Sequence, residues 1–303
     1  MKQSMRTELA EQAQGDVRAD TRQDRLKRRL PNVLYYTYVY VLLLAGVAFI
    51  FVPFWWAVSS AFKLPQNLFL DPPQWIPQPW TLQNFRDALA AAPFWTFAKN
   101  TFIICAFSVL GEVLSCSMAA FAFARLRFPG RDFLFIVLLS TMMLPSVIKL
   151  IPTFIIFHKL DWVNSFLPLI VPHFLATPIY VFLMRQFFAT IPIEMDDAAR
   201  VDGASFYHIY WHIILPLSRP ALAVVAIFTF MGEYENFLGP LIYINSTDKF
   251  TLALGLNLFK GMFTVDFGPL MAVSFLMMLP PILLFAVAQR YFIQGIVVTG
   301  VKG

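Results

Sequence analysis

The chain has 303 residues, 58% of them hydrophobic and 14% charged, with a mean hydropathy of +0.65. An average soluble domain carries about 25% charged residues, and a chain this apolar lacks the polar surface to stay dissolved. Only 13 glycines and two cysteines are present, so collagen-like and disulfide-scaffold chains are excluded and an integral membrane protein remains.

The formal net charge is +5, and the first thirty residues, with eight Lys/Arg and five Asp/Glu, supply +3 of it. The other residues carry 15 basic and 13 acidic groups, so the basic pI of 9.2 reflects a tail rather than a binding face. No basic patch or module for nucleic acid is evident. Residues 1–34 read as a cytoplasmic basic tail, and residues 35–303 as a six-span membrane domain. Arg25, Lys27, Arg28 and Arg29 precede the first apolar run and suit an anchor on anionic headgroups, with protein docking as the alternative.

No charge interrupts Leu30 to Phe62, and the first span is expected at about residues 36–61. The run is too long, and too polar a segment precedes it, for a cleaved signal peptide. Residues 63–95 contain Pro65, Pro72, Pro73, Pro77 and Pro79, which predicts a loop with one short helix near residues 84–91. The second span covers about residues 96–124. Its Cys105 and Cys116 would stand about 16 Å apart along a helix, too far for a disulfide, and read as buried small hydrophobes. A charged turn with Pro129 and Gly130 follows at residues 125–132. The third span, 133–157, is broken by Pro145 and Pro152, and its Lys149 is expected to snorkel to the outer interface. The fourth, 162–184, contains Pro168, Pro172 and Pro178. A polar interruption at 185–219 separates it from a fifth span at 220–242 and a sixth at 267–289.

The fold class is therefore an all-α integral membrane protein of six transmembrane helices, with both termini on one side. The positive-inside tally is 16 basic residues inside against 7 outside, which puts the termini in the cytoplasm. Without the tail it narrows to 8 against 7, so the orientation rests on the tail and the 125–132 turn.

The loop at 185–219 is the most informative segment. Pro192 suits the first turn of a helix, and Glu194, Asp196 and Asp197 place negative charge at its positive end. Ala198 and Ala199 favour helix, Gly203 can take the left-handed conformation that ends it, and Ser205 can cap a second helix. That second helix is expected to run through Trp211 and stop before Pro216. The first helix is too short to stand alone and must dock on something. From these residues alone, an interfacial hairpin packed on its own bundle and a partner-docking element are equally open.

The pattern Asp197-Ala198-Ala199, three residues, Gly203, nine residues, Ile213, one residue, Leu215-Pro216 resembles the EAA signature of membrane subunits of binding-protein-dependent ABC importers. Asp197 stands where that signature usually has Glu, which keeps the charge. Three other segments are similar to the carbohydrate-uptake branch, of the maltose type. They are Trp80 to Phe85, Phe121 to Arg131, and Gln289 to Gly295 with Thr299 to Gly303. The resemblance covers about residues 35–303.

The resemblance implies that this loop is a coupling helix between spans four and five, seated in a cleft of a separate ATP-hydrolysing subunit. The contact it implies comprises Glu194, Asp197, Ala198, Ala199, Asp202, Gly203, Ile213, Leu215 and Pro216, with the tail at Gly303 also reaching the ATPase. It further implies a second homologous permease subunit, two ATP-binding subunits carrying ATP and Mg, an extracytoplasmic sugar-binding protein, surrounding membrane lipid, and a prokaryotic plasma (inner) membrane. The chain itself has no Gly-x-x-x-x-Gly-Lys-[Ser/Thr] motif and no Gly-Lys pair, so it is expected to be a non-catalytic subunit without cofactor or metal. His158, His173, His208 and His212 are scattered, and the last two, four apart, show no third ligand.

Ionisable groups inside apolar spans are costly and tend to face a polar cavity. Glu112 lies in the second span, and Glu233, Tyr234, Glu235, Asn236 and Phe237 lie in the fifth. They are candidates for the substrate path, with interhelical packing as the competing role. The expected function is an ATP-driven importer of a sugar or oligosaccharide by alternating access, a glycerol phosphate ester being the alternative substrate. The alternative mechanism is an ion-coupled secondary transporter or channel using the intramembrane glutamates. It needs no coupling loop, and it often has internal repeats, none of which is convincing here.

Overall fold

The structure is a computed structural model that describes residues 22–259 and 266–300. Side chains are described outside residues 22–34, 146 and 290–300, so the basic cluster at Arg25 to Arg29 and the tail at Gly303 fall outside them. The chain divides into two compact units, residues 1–58 and 59–303.

The described part of the first unit is helix. Helix α1 runs Arg22–Ala61, and its membrane-length part is Tyr35–Ala61. In the second unit come α2 (Gln83–Ala91), α3 (Phe94–Arg125), α4 (Arg131–Ser140) and α5 (Ser146–Lys159). They are followed by α6 (Leu167–Ile170), a 3-10 turn at Val171–Leu175, α7 (Pro178–Thr190) and α8 (Glu194–Val201). Next are α9 (Phe206–Ile209), a π turn at Tyr210–Ile214, α10 (Leu215–Leu217) and α11 (Arg219–Tyr234). The chain closes with α12 (Leu238–Tyr243), α13 (Leu252–Gly255) and α14 (Phe267–Gly300). No strand occurs among the described residues.

Four helices are long and apolar enough to cross a membrane: Tyr35–Ala61, Phe94–Arg125, Leu167–Thr190 and Phe267–Gln289. Counting each of two bent pairs as one span gives six. The first pair bends at the Leu144–Pro145 step, where Leu144 is extended (ψ 115) because a following proline disfavours its helical conformation. Pro152, expected to break this span as well, sits inside α5 without ending it. The second pair joins Phe206–Leu217 to Arg219–Tyr234 at 78°.

Helix α3 is the centre of the second unit. It packs against α11, α7 and the Val171–Leu175 turn, while α14 packs on α11 and α2. One apolar cluster gathers Cys116, Phe121, Val181, Phe188, Ile209 and Ile214 beneath the α8–α9 hairpin. A second lies around the other half of α3, with Phe97, Cys105, Tyr234 and Val273. Both cysteines are free and buried.

The small and polar residues of α3 recur at Ser108, Gly111, Glu112, Ser115 and Cys116, one face of a helix. That face meets the irregular fourth span, whose backbone leaves its own ladder around Ala176 (φ 61). Ser108 Oγ donates to Leu169 O at 3.3 Å and Ser115 Oγ to His173 O at 2.9 Å. The amide of Thr177 donates to Glu112 Oε1 at 3.0 Å. A broken helix is tolerated at membrane depth when a neighbour satisfies the freed groups, and α3 does this.

Candidate functional site

Two constellations stand out, one in the α8–α9 hairpin and one between α3, the fourth span and the end of α11.

The hairpin has the expected helix, glycine turn and helix. Gly203 sits at φ 83, and Ser205 Oγ accepts the His208 amide at 3.2 Å. Three details differ from the expectation. Pro192 precedes the helix by two residues instead of lying in its first turn, since α8 starts at Glu194. The second helix passes Pro216 and ends at Leu217, with a π turn at Tyr210–Ile214 just upstream taking up one residue of register. The polar interruption also begins later, because α7 continues to Thr190.

The acidic residues of α8 divide by face. Glu194, Asp197 and Asp202 are exposed, as are Ala198 and Gly203, while Ala199 packs in part on the core below. Asp196 is turned inward, 1% exposed, 3.5 Å from Arg125 Nε at the end of α3. The same guanidinium donates to the carbonyls of Phe188 at 2.9 Å and Ile191 at 2.7 Å. Arg125 thus satisfies carbonyls at the C-terminal end of α7, where a cation also meets the negative end of the helix dipole. Burial raises the Asp196 carboxyl above the ordinary range, and Arg125 and Arg200 pull it back in part. In the second limb Ile213 and Leu215 are half-buried against the core and Pro216 is exposed.

The second constellation centres on His173, which the sequence left among scattered histidines. Its Nδ1 is 2.6 Å from Glu112 Oε2, and its Nε2 is 3.2 Å from Glu233 Oε1. Glu112 is fully buried and also accepts from Cys116 Sγ at 2.9 Å. Glu233 is 13% exposed and accepts from Asn236 Nδ2 at 3.1 Å. Asn236 Oδ1 in turn accepts the Gly239 amide. These side-chain bonds compete with the helix ladder: in the stretch expected as a span at 220–242, α11 ends at Tyr234 and α12 resumes at Leu238.

The candidate path residues therefore separate. Glu112, Glu233 and Asn236 join one network through His173. Tyr234 turns into the bundle, donating to Met277 O at 2.9 Å and stacking on Phe230. Glu235 and Phe237 are exposed. The only hint of His173 in the sequence was indirect: a buried-span glutamate needs a donor.

His208 and His212 stack at 4.2 Å between ring centroids, and among the described residues no three His, Cys, Asp or Glu side chains gather as a metal site.

Comparison with known proteins agrees with this architecture. The arabinooligosaccharides transport system permease protein AraQ of Halalkalibacterium halodurans is 39% identical over 228 residues, 75% of this chain and 81% of the relative. The sn-glycerol-3-phosphate transport system permease protein UgpE of Shigella flexneri is 33% identical over 270 residues, 85% of this chain and 94% of the relative. A crystal structure of a bacterial ABC transporter involved in the import of the acidic polysaccharide alginate contains a chain of the same fold. Its TM-score is 0.75 at 20% identity, and the match covers 90% of this chain and 98% of that one. A family profile described as "binding-protein-dependent transport system inner membrane component" matches residues 113–298, more than half of the chain, and the chain belongs to that family.

Proposed function

We propose that this chain is a permease subunit of an ATP-driven importer for a sugar or oligosaccharide, working by alternating access. It pairs with a second homologous permease, two ATP-binding subunits and an extracytoplasmic solute-binding protein, and it crosses the inner membrane six times with both termini cytoplasmic. The observation that carries the coupling is the α8–α9 hairpin. Its outer face offers Glu194, Asp197, Ala198, Asp202 and Gly203, and its inner face is tied to α3 and α7 through Asp196 and Arg125. A push on such a hairpin is transmitted to the spans because it is anchored to two of them. Acidic groups on the outer face can meet cations of an ATPase cleft.

The ion-coupled alternative loses its ground with the family assignment. The substrate class rests on the relatives: one is named for arabinooligosaccharides, a neutral solute, and another for sn-glycerol-3-phosphate, an anionic one. The test of coupling is a cysteine at Ala198 in an otherwise cysteine-free permease, cross-linked against the ATPase subunit in membranes. A cross-link that changes with nucleotide supports the assignment. Its absence, with the complex intact, contradicts it.

A further inference from the structure

The Glu112–His173–Glu233 bridge links three separate elements, and its proton inventory can be read from geometry. Both ring nitrogens of His173 face carboxylate oxygens, at 2.6 and 3.2 Å. Each such contact needs a proton between the two atoms. Either the ring carries both protons and both carboxyls are ionised, or the ring carries one and one carboxyl carries the other. The three side chains then hold a net charge of minus one in both arrangements. His173 could otherwise pair with an anionic solute, but its two nitrogens are committed to the glutamates.

The members differ in access. Glu112 is fully buried, accepts from Thr177 N and Cys116 Sγ and shares a proton with His173 Nδ1, so it is a positioning residue. His173 is 20% and Glu233 13% exposed. Glu233 is held from behind by His173 and from the side by Asn236, and its oxygens keep lone pairs for a further donor.

We propose that this bridge is a selectivity station of the solute path, with Glu233 accepting a hydroxyl of a neutral sugar and the fixed negative charge excluding phosphorylated or uronic solutes. The proposal rests on the sugar-importer reading and supplies the charge that reading leaves open. A neutral polyol donates to the carboxylate without like-charge repulsion, and its hydrogen bond offsets the lost hydration. An anion would meet a like charge in a site of low dielectric, where repulsion is poorly screened.

The test uses the whole importer with its binding protein in proteoliposomes loaded with ATP. The probes are arabinotriose, maltotriose, glycerol 3-phosphate and trigalacturonate. The expected result is uptake of a neutral trisaccharide and of neither anion. Glu233→Gln should raise KM for that trisaccharide about tenfold or more, the factor of one charged hydrogen bond, with little change in maximal rate. Glu233→Asp, which keeps the charge, should go on excluding both anions. Uptake of either anion by the unaltered complex overturns the charge selection and leaves the importer reading standing. An unchanged KM in Glu233→Gln, or an equal fall of rate in both variants, overturns Glu233 as a contact. Uptake of none of the four probes overturns the sugar reading and the proposal together.

Discussion

Arg125 supports the α8–α9 hairpin from beneath, and its removal should have a larger effect than removal of its acidic partner. Arg125→Ala deletes two charged hydrogen bonds, to Phe188 O and Ile191 O, and leaves Asp196 buried without its cation. Hydrogen bonds involving a charged group contribute about 1.5–3 kcal/mol each. Stripping one partner from a buried ion pair costs about 3–5 kcal/mol, part of which the aspartate recovers by taking up a proton. A local loss of at least ~3 kcal/mol follows. Asp196→Asn is different: Arg125 keeps both carbonyls, and the amide carries no charge to desolvate. The guanidinium loses its counter-charge but stays hydrogen-bonded, so the cost should be about 1–2 kcal/mol, below that of Arg125→Ala. The pH behaviour has a definite sign. Burial holds the Asp196 carboxyl above its ordinary 3.8, so its protonated form is favoured in the fold. Its contribution to stability is present at low pH and is lost as pH rises from 3.8 through the raised value; Asp196→Asn removes that dependence. Limited trypsinolysis of the purified complex, followed at the Arg200 bond, measures opening of the hairpin. Arg125→Ala should be cut much faster and release ATPase subunit, with Asp196→Asn closer to the unaltered chain. Equal sensitivity of the two variants would refute the reasoning.

Other substitutions probe the same account. Gly203→Val should leave the protein in the membrane and uncouple the ATPase. Nothing crowds the position, so the penalty is the left-handed φ of 83 alone, and normal co-purification with normal uptake would contradict the assignment. Ser205→Ala should cost the hairpin about 1 kcal/mol through the lost cap, read as a modest rise in the same proteolysis rate. Gly111→Ala should loosen the fourth span against α3, because a Cβ there overlaps the Phe174 ring; a lower thermal unfolding midpoint of the complex is the expected result.

Much of this architecture follows from local rules that the sequence carries openly. The second span, expected at 96–124, is the helix Phe94–Arg125, and the short helix expected at 84–91 is Gln83–Ala91. Gly203 and Ser205 act where turn and cap chemistry put them. The misreadings arise where side chains from distant segments compete with the backbone. The stretch expected at 220–242 is interrupted between Tyr234 and Leu238, where Asn236 bonds Glu233 and the Gly239 amide, which periodicity does not report. Asp196 looked like its acidic neighbours, yet one position on a helix separates an exposed face from a buried one, and its cation lies 71 residues away at Arg125. His173 joins Glu112 and Glu233 across about sixty residues on either side, so its role becomes visible only when three elements are brought together. Asn84 is similar. It lies in a segment that resembled a family loop, and it donates to the carbonyls of Ala61 and Lys63 that end the first span.

The most direct test of the central claim is solute uptake into proteoliposomes holding the complete complex, measured with and without internal ATP and across an imposed proton gradient. The account predicts uptake that requires ATP and the binding protein and that survives collapse of the proton gradient. Uptake that continues without ATP and rises with the gradient would contradict it.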